Sequence, residues 1–362
     1  MLSYIVRRLV LMIPTLLGMT FLVFMVMAMS PGGIGGSLLN ELGQLDSQQA
    51  RAQKDYYERR YGIRDNPLVQ YGRWLHQVSP IGFEIDVNLD TGERRWNNFG
   101  FKWPDLGRSL AMKRQVTEIF AEALPVTVLL NVLTTPIIYA LAILLGIYAA
   151  RHRGRLFDVL SSVSLLALWS LPTIMVGTLL IGFLANRDYL PWFPPAGLSS
   201  LEAHNMAFLP GWSVDGWERG WLLDRLWHLT LPVVCLLYGS FAVLMKLMRT
   251  SVLENLSSDF IRTARAKGVT EHRVLWGHAF RNSLLPLITV MAGILPSLLG
   301  GSLIIEYIFS IPGMGQLMVE AIRARDREVV LANTLVIGLL GLLSILIADL
   351  LYAVADPRVS YE

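Results

Sequence analysis

The sequence predicts an all-α integral membrane protein in which six helices span the bilayer. Only 16% of its 362 residues are charged and 53% are hydrophobic, whereas a soluble domain carries about 25% charged residues. The charges are clustered, so apolar stretches of about 20 residues remain between them, and this is the length of helix that crosses a bilayer. Composition and spacing together therefore indicate a polytopic membrane protein.

The first apolar run is interpreted as a retained span. Arg7 and Arg8 precede it, as they would precede the apolar region of a signal peptide. The run covers residues 9–29, however, which is a full membrane span and exceeds the apolar region of a signal peptide. Ala28-Met29-Ser30 is also a poor cleavage site.

Six apolar runs set the predicted order of the chain. The spans are expected at residues 9–29, 124–150, 159–185, 227–248, 284–309 and 329–354. The polar segments that precede, separate or follow the later spans are residues 30–123, 186–226, 249–283, 310–328 and 355–362. Weak helical patterns cover residues 47–61 and 67–78. Prolines within the spans are tolerated where neighbouring helices satisfy the freed carbonyl groups, which indicates a packed bundle.

The distribution of basic residues predicts the orientation. Residues 151–158 and 249–283 carry an excess of Lys and Arg that residues 186–226 and 310–328 lack, and cytoplasmic loops have such an excess. Residues 30–123 are discounted because long loops translocate largely regardless of charge. Both termini are therefore expected in the cytoplasm. Residues 30–123, 186–226 and 310–328 are expected on the periplasmic side. The small net charge of +3 is interpreted as topology, without nucleic-acid binding.

The longest polar segment predicted for the cytoplasm, residues 249–283, has a helical pattern with a glycine break. Ser251 and Glu254 have capping-box spacing, which favours a helix that begins near Val252. Gly268 follows a basic last turn and can end that helix. Thr270 can cap a second short helix. From periodicity alone, an ordinary amphipathic loop on the membrane surface explains the segment equally well.

One apolar stripe runs along the first of these helices. Its members recur at spacings of three and four: Leu253, Leu256, Phe260, Ile261 and Ala264. Arg262, Arg265 and Lys267 lie away from it. The second helix carries Val274, Leu275, His278 and Ala279.

The same segment resembles the EAA loop of binding-protein-dependent ABC importer permeases. The match is carried by Thr263-Ala264-Arg265-Ala266-Lys267-Gly268, then His278, Arg281-Asn282 and Pro286. The generic loop has Glu-Ala-Ala and a proline closer to the glycine. This chain has Thr263-Ala264-Arg265 instead and a longer spacing from Gly268 to Pro286. The branch of the family that moves oligopeptides, dipeptides and nickel shows the same differences.

Further motifs of that branch recur in order along the chain. They are Asp105-Leu106-Gly107-Arg108-Ser109, Leu124-Pro125-Val126-Thr127, Gly300-Gly301, Glu306, Pro312-Gly313-Met314-Gly315, Arg325-Asp326 and Asp356-Pro357-Arg358. The long outer loops are most similar to the first permease subunit of the sub-branch linked to microcin C and broader peptide uptake.

The resemblance implies a six-span transmembrane domain of a type I ABC importer in the bacterial inner membrane. It also implies a second homologous permease, two cytoplasmic ATPases, a periplasmic or lipid-anchored binding protein and a peptide substrate. The short helix before the glycine corresponds to the family's coupling helix, with its apolar stripe in a groove of the ATPase. Its residues are Phe260, Ile261, Arg262, Thr263, Ala264, Arg265, Ala266, Lys267 and Gly268.

The chain lacks the motifs of an enzyme that hydrolyses ATP. It contains no Gly-Lys dipeptide and therefore no P-loop, so ATP and Mg²⁺ are expected on the partner ATPases. The six histidines show no metal-binding spacing, and no nucleophile motif has convincing context. The lone Cys235 excludes a disulfide within the chain. We expect neither a catalytic residue nor a cofactor in this subunit.

Two acidic residues, Glu306 and Asp349, fall within predicted spans. Such residues usually face the interior of the bundle and have a partner. A proton or cation relay would make them essential to a secondary transporter driven by an ion gradient. We favour structural roles, because a relay would need polar residues nearer mid-span. A permease for nickel or another small solute and a scaffold protein without flux stay as further alternatives.

Overall fold

The computed structural model describes residues 2–29, 65–87, 94–109, 111–213, 216–291 and 302–355. The chain divides into two compact units, one from Met1–Ala123 and Leu317–Leu342 with Tyr361–Glu362, the other from Leu124–Gln316 and Leu343–Ser360. Long apolar helices dominate the described residues, which confirms the all-α membrane fold class.

The first unit packs helix α1 (Leu2–Met29) against a short amphipathic helix, α2 (Pro67–Val78). Phe24, Trp74 and Val78 form its buried core together with Leu331. The Tyr71 hydroxyl lies 3.0 Å from the Leu17 carbonyl oxygen, so α2 is tied to α1 by a polar contact as well. The helix predicted at residues 67–78 is confirmed. The other predicted piece, residues 47–61, lies outside the described residues.

An antiparallel hairpin follows α2. Strands β1 (Ile81–Val87) and β2 (Arg94–Phe101) pair Ile81 with Phe101 and Phe83 with Phe99. This hairpin was not predicted, although Ile81, Phe83 and Ile85 alternate with other residues at the period of a strand.

Two stretches that carry family motifs meet within the first unit. The Ser109 hydroxyl donates to the Asp326 carboxylate at 2.5 Å, and the Ala111 amide donates to the same oxygen at 3.1 Å. Arg327 and Glu328 form a buried ion pair beside them. Motifs more than two hundred residues apart therefore form one polar cluster.

The second unit contains the remaining helices of the described chain. They are α3 (Val116–Arg151, which begins in the first unit), α4 (Leu156–Ser170), α5 (Thr173–Leu184), α6 (Gly220–Leu256), α7 (Asp259–Ala266), α8 (Glu271–Arg273), a π-helix (Val274–Ala279), α9 (Phe280–Ser283), α10 (Leu285–Met291), α11 (Leu303–Ile308), α12 (Met314–Arg323) and α13 (Arg327–Ala355), the last two shared between the units. Strands β3 (Gly211–Ser213) and β4 (Gly216–Glu218) form a second small hairpin.

Within the described residues, α1, α3, α6 and α13 are long and apolar enough to cross a membrane. The predicted span at residues 284–309 contains α10 and α11, but residues 292–301 between them lie outside the described residues. The count of six spans therefore stays a prediction.

The predicted span at residues 159–185 consists of two helices with a sharp bend between them, and as a single span it stays a prediction. Helices α4 and α5 meet at an angle of 94°. Pro172 lacks the amide that would continue α4, and Leu171 before it is extended, with φ −81° and ψ 126°. With 15 and 12 residues, the two helices are roughly 22 and 18 Å long, so each is shorter than the bilayer core of about 30 Å.

Helices α3 and α6 approach each other closely at Gly146. A Cβ atom on Gly146 would lie 2.8 Å from the Cβ atom of Met248 and 3.0 Å from the Met245 carbonyl oxygen. Met245 and Met248 belong to a buried cluster that also contains Ala142, Ala149 and Val252. Glycine is therefore required at this helix contact.

We predict that Gly146→Ala destabilises the protein by about 1–3 kcal/mol, because the added methyl group overpacks the contact with Met248. Gly239→Ala is the matched control, since open space surrounds Gly239 in α6. It should stabilise by roughly 0.5–1 kcal/mol through helix propensity. Thermal unfolding of the purified protein in detergent measures both. A shift in the same direction for both variants would contradict the prediction.

Candidate functional site

The candidate site begins where α6 ends, at Leu256. The prediction that a helix begins near Val252 is wrong, because Ser251 is buried inside α6 and its carbonyl accepts from Asn255 Nδ2 at 2.9 Å. The buried positions Met248 and Val252 continue the apolar face of α6 without a break. A capping-box spacing can therefore also occur inside a helix when the apolar face of the helix continues past it.

Two serines make the break between α6 and α7. Their hydroxyl groups donate to carbonyl groups at the end of α6, Ser257 to Glu254 at 2.8 Å and Ser258 to Asn255 at 2.5 Å. Ser258 is extended, with φ −74° and ψ 156°, and α7 begins at Asp259 after it. The break therefore leaves α6 with satisfied carbonyl groups.

Helix α7 ends in a Schellman motif, as the glycine break predicted. The Gly268 amide donates to the Arg265 carbonyl at 2.9 Å, and the Val269 amide donates to the Ala264 carbonyl at 3.2 Å. Gly268 has φ +76° and nothing within 4 Å of a Cβ position, so the backbone conformation alone requires glycine there. Thr270 lies at the N-cap of α8, but its side chain makes no capping hydrogen bond.

The apolar stripe predicted for this region is divided between two surfaces. Ile261 is 0% exposed and Ala264 is 9% exposed, and both pack with Val274 and Ala279 of the following π-helix. Phe260 is 42% exposed. The prediction that the whole stripe faces a partner is therefore wrong for Ile261 and Ala264, because the chain folds back and buries them itself.

The predicted basic residues are exposed, but two have partners in the same segment. Arg265 donates two hydrogen bonds to the Glu271 carboxylate, at 2.7 and 3.1 Å, across the Gly268 turn. These bonds and the charge of Arg265 lower the pKa of Glu271. Arg262 lies 3.3 Å from Asp259, and both are exposed. Arg265 therefore braces the turn, while Thr263, Ala266 and Lys267 are exposed on α7.

The π-helix Val274–Ala279 is a feature that sequence reasoning missed. π-Helices are rare and occur frequently at functional sites. It buries Val274 against α7 and Leu275 against α3 and α6. No residue type in VLWGHA marks this winding, so the sequence held no usable signal.

Glu306 lies in α11, 0% exposed, and accepts four hydrogen bonds. One carboxylate oxygen accepts from the Thr127 hydroxyl at 2.9 Å and the Ser302 amide at 3.2 Å. The other accepts from the amides of Gly315 and Gln316 at 2.6 and 3.3 Å. These amides belong to the first turn of α12, where the helix dipole also favours a negative charge.

Two glycines make room for this carboxylate. A Cβ atom on Gly313 would overlap the Glu306 carboxylate and the Thr127 hydroxyl, and one on Gly315 would lie 2.7 Å from the Leu303 Cα atom. The Thr127 hydroxyl also accepts from the Met314 amide at 2.8 Å. The motif Pro312-Gly313-Met314-Gly315 thus packs closely around the Glu306 carboxylate, and the structural role we favoured stays a prediction. Asp349 lies half-buried in α13, and its role stays a prediction.

We predict that Glu306→Gln destabilises the protein by about 2 kcal/mol, because the amide NH₂ cannot accept from two backbone amides and the charge-assisted bonds are lost. Glu254→Gln, which changes an exposed carboxylate, is the matched control. Chemical denaturation of the purified protein measures the difference. Equal stability of the two variants would contradict the prediction.

Comparisons with known proteins identify the family of the chain. The family model described as binding-protein-dependent transport system inner membrane component matches residues 142–361. The oligopeptide transport system permease protein AppB of Bacillus subtilis (strain 168) is 33% identical over 363 residues, covering 100% of both chains. The inner membrane ABC transporter permease protein YejB of Escherichia coli O157:H7 is 33% identical over 373 residues, covering 99% of both.

A third relative has a different stated cargo. The peptidoglycan transport system permease protein YejB of Agrobacterium fabrum (strain C58) is 31% identical over 382 residues, covering 99% of this chain and 98% of that protein. The resemblance found in the motifs is therefore confirmed over the full length of the chain. The chain belongs to the family of binding-protein-dependent transport system inner membrane components, and it is a multi-pass membrane protein.

Proposed function

We propose that the chain is one of two permease subunits of an ATP-driven peptide importer in the bacterial inner membrane. A second homologous permease, two ATPases that hold ATP and Mg²⁺, and a periplasmic or lipid-anchored binding protein complete the transporter. Both termini and α7 face the cytoplasm. Relatives named as oligopeptide and peptide permeases, which align with the full chain, support peptide as the cargo.

The observation that carries the proposal is the construction of α7. The Schellman turn at Gly268 and the buried contacts of Ile261 and Ala264 fix the orientation of the helix. Phe260, Thr263 and Lys267 are exposed at spacings of three and four, so they share one face. A rigid short helix with an exposed aromatic residue and a cation suits docking into a groove of a partner.

In this mechanism the ATPases close on ATP and displace α7, and the spans change from inward-facing to outward-facing. The binding protein delivers peptide from outside, and hydrolysis resets the bundle. Phe260 fills an apolar pocket of the ATPase, and Lys267 pairs with an acidic residue beside it. Ile261 and Ala264 hold α7 to the rest of the permease.

The first test is purification of the tagged chain from its own host in mild detergent, followed by mass spectrometry. We expect a P-loop ATPase and a second polytopic permease to copurify. Phe260→Ala should lose the ATPase and keep the second permease. Tyr189→Ala removes an aromatic side chain that is 62% exposed outside this segment, and it should keep both. A homo-oligomer without an ATPase would overturn the proposal.

We predict that Gly268→Val uncouples ATP hydrolysis from uptake, because a β-branched residue at φ +76° costs about 1–2 kcal/mol and displaces the turn that orients α7. Gly197→Val is the matched control, since Gly197 has φ +83° and its Cβ position has only an ordinary contact, 3.9 Å from the Ser199 carbonyl oxygen. It should retain the ratio of uptake to hydrolysis, measured in proteoliposomes. Gly268→Asn should lose less than Gly268→Val. Normal coupling in Gly268→Val would contradict the role of the turn.

A further inference from the structure

The inference concerns how the movement of α7 reaches the bent pair α4–α5, and it rests on the proposed docking of α7 to an ATPase. Helix α6 continues to Leu256, and only Ser257 and Ser258 separate it from α7. Arg249 lies seven residues before the end of α6, which is roughly 10 Å along the helix axis. A displacement of α7 therefore acts first on the part of α6 that carries Arg249.

Arg249 holds α4 through a forked ion pair. Its Nε donates to Asp158 Oδ1 at 2.5 Å and its Nη2 donates to Oδ2 at 2.9 Å. The Gly154 amide donates to the same Oδ2 at 2.9 Å, so the turn between α3 and α4 is fixed to the pair as well. The Asp158 side chain is only 4% exposed. Forked, charge-assisted pairs of this kind specify orientation as well as distance.

Asp158 is the one buried residue of α4. The other positions of this helix are exposed or partly buried, with Phe157 and Leu165 packed against the cluster of α3 and α6. Apolar contacts of partly buried side chains are non-directional, whereas the fork fixes one geometry. The fork therefore fixes the position of α4 relative to α6 more specifically than these apolar contacts do.

A second polar contact holds the bend on the same face of α6. The Tyr238 hydroxyl lies 3.0 Å from the Leu171 carbonyl oxygen and 3.2 Å from Thr173 Oγ1. Tyr238 and Arg249 are eleven residues apart, which is close to three helical turns, so they point in nearly the same direction. Helix α6 thus contacts the first turn of α4 through the fork, and it contacts the bend after the last residue of α4 through Tyr238.

We propose that Asp158 and Arg249 are positioning residues for transport, which make α4 move together with α6 when α7 is displaced. Without the fork, α4 stays bound at the Tyr238 contact and turns about the Leu171–Pro172 bend. The displacement of α7 then reaches α6 but is no longer transmitted from α6 to α4. ATP hydrolysis continues, but the pathway no longer opens in step with it.

The test uses the copurified complex in proteoliposomes and a radiolabelled ladder of di- to hexa-alanine. Asp158→Asn should lower peptide uptake per ATP hydrolysed about tenfold, the factor for one charge-assisted hydrogen bond. Arg249→Gln should do the same, and the double variant should be no worse than either single variant. The control variants Asp188→Asn and Arg187→Gln, in an exposed turn, should stay within about twofold of the unmodified complex. An uptake ratio for Asp158→Asn within that range would overturn the inference.

A distance measurement separates transmission from a purely structural role and needs no substrate. Spin labels at Val163→Cys on α4 and Val243→Cys on α6, both exposed, are introduced with Cys235→Ser. The distance between the labels should be the same in the nucleotide-free and the ATP–vanadate complex. It should differ between these states when Asp158→Asn is added. A change in the complex with intact Asp158 would overturn the inference, whereas the absence of any copurifying ATPase would overturn the proposed function itself.

Discussion

Every break in a helix of this protein must leave its backbone amide and carbonyl groups paired, because hydrocarbon offers no water to replace lost hydrogen bonds. At three of the described breaks a specific side chain supplies the missing hydrogen bonds. Tyr238 contacts the Leu171 carbonyl at the bend between α4 and α5. Glu306 accepts from the free amides of α12, and Ser257 and Ser258 donate to the carbonyls of α6. The breaks are therefore the places where polar side chains are required.

This constraint explains why a carboxylate is buried at Glu306. A buried charge is costly unless hydrogen bonds replace its solvation. Here a hydroxyl and three backbone amides supply them, and two of those amides belong to a helix N-terminus that had no intrahelical partner for them. The amides at the start of α12 solvate the Glu306 carboxylate, and the carboxylate gives those amides a hydrogen-bond partner. A proton relay is therefore not needed to explain the presence of Glu306. The glycines at 313 and 315 follow from the closeness of this contact.

The sequence predicted those features that one local rule determines. Long apolar runs predicted the membrane fold, and a glycine after a basic turn predicted the end of α7. Prediction from the sequence failed where the same local pattern fits two structures and contacts with other parts of the chain decide between them. Pro125, Pro172 and Pro232 all lie in predicted spans, but Pro125 and Pro232 lie inside α3 and α6 whereas Pro172 follows the end of α4. Likewise, periodicity identified the stripe on α7 but did not show that the same chain would bury Ile261 and Ala264.

The π-helix bears directly on the coupling role proposed for α7. A short helix on a flexible loop would absorb a displacement, because the loop would deform first. In this chain the buried face of α7 contacts Val274, and the adjacent Leu275 packs into the cluster that contains Met248 of α6 and Ile147 of α3. Consecutive residues on a helix point in different directions, so two neighbouring side chains connect α7 to the helix bundle. Helix α7 is therefore connected to α6 through the backbone, and to α3 and α6 through a packed core. This second connection gives the segment the packed support that the proposed coupling role requires.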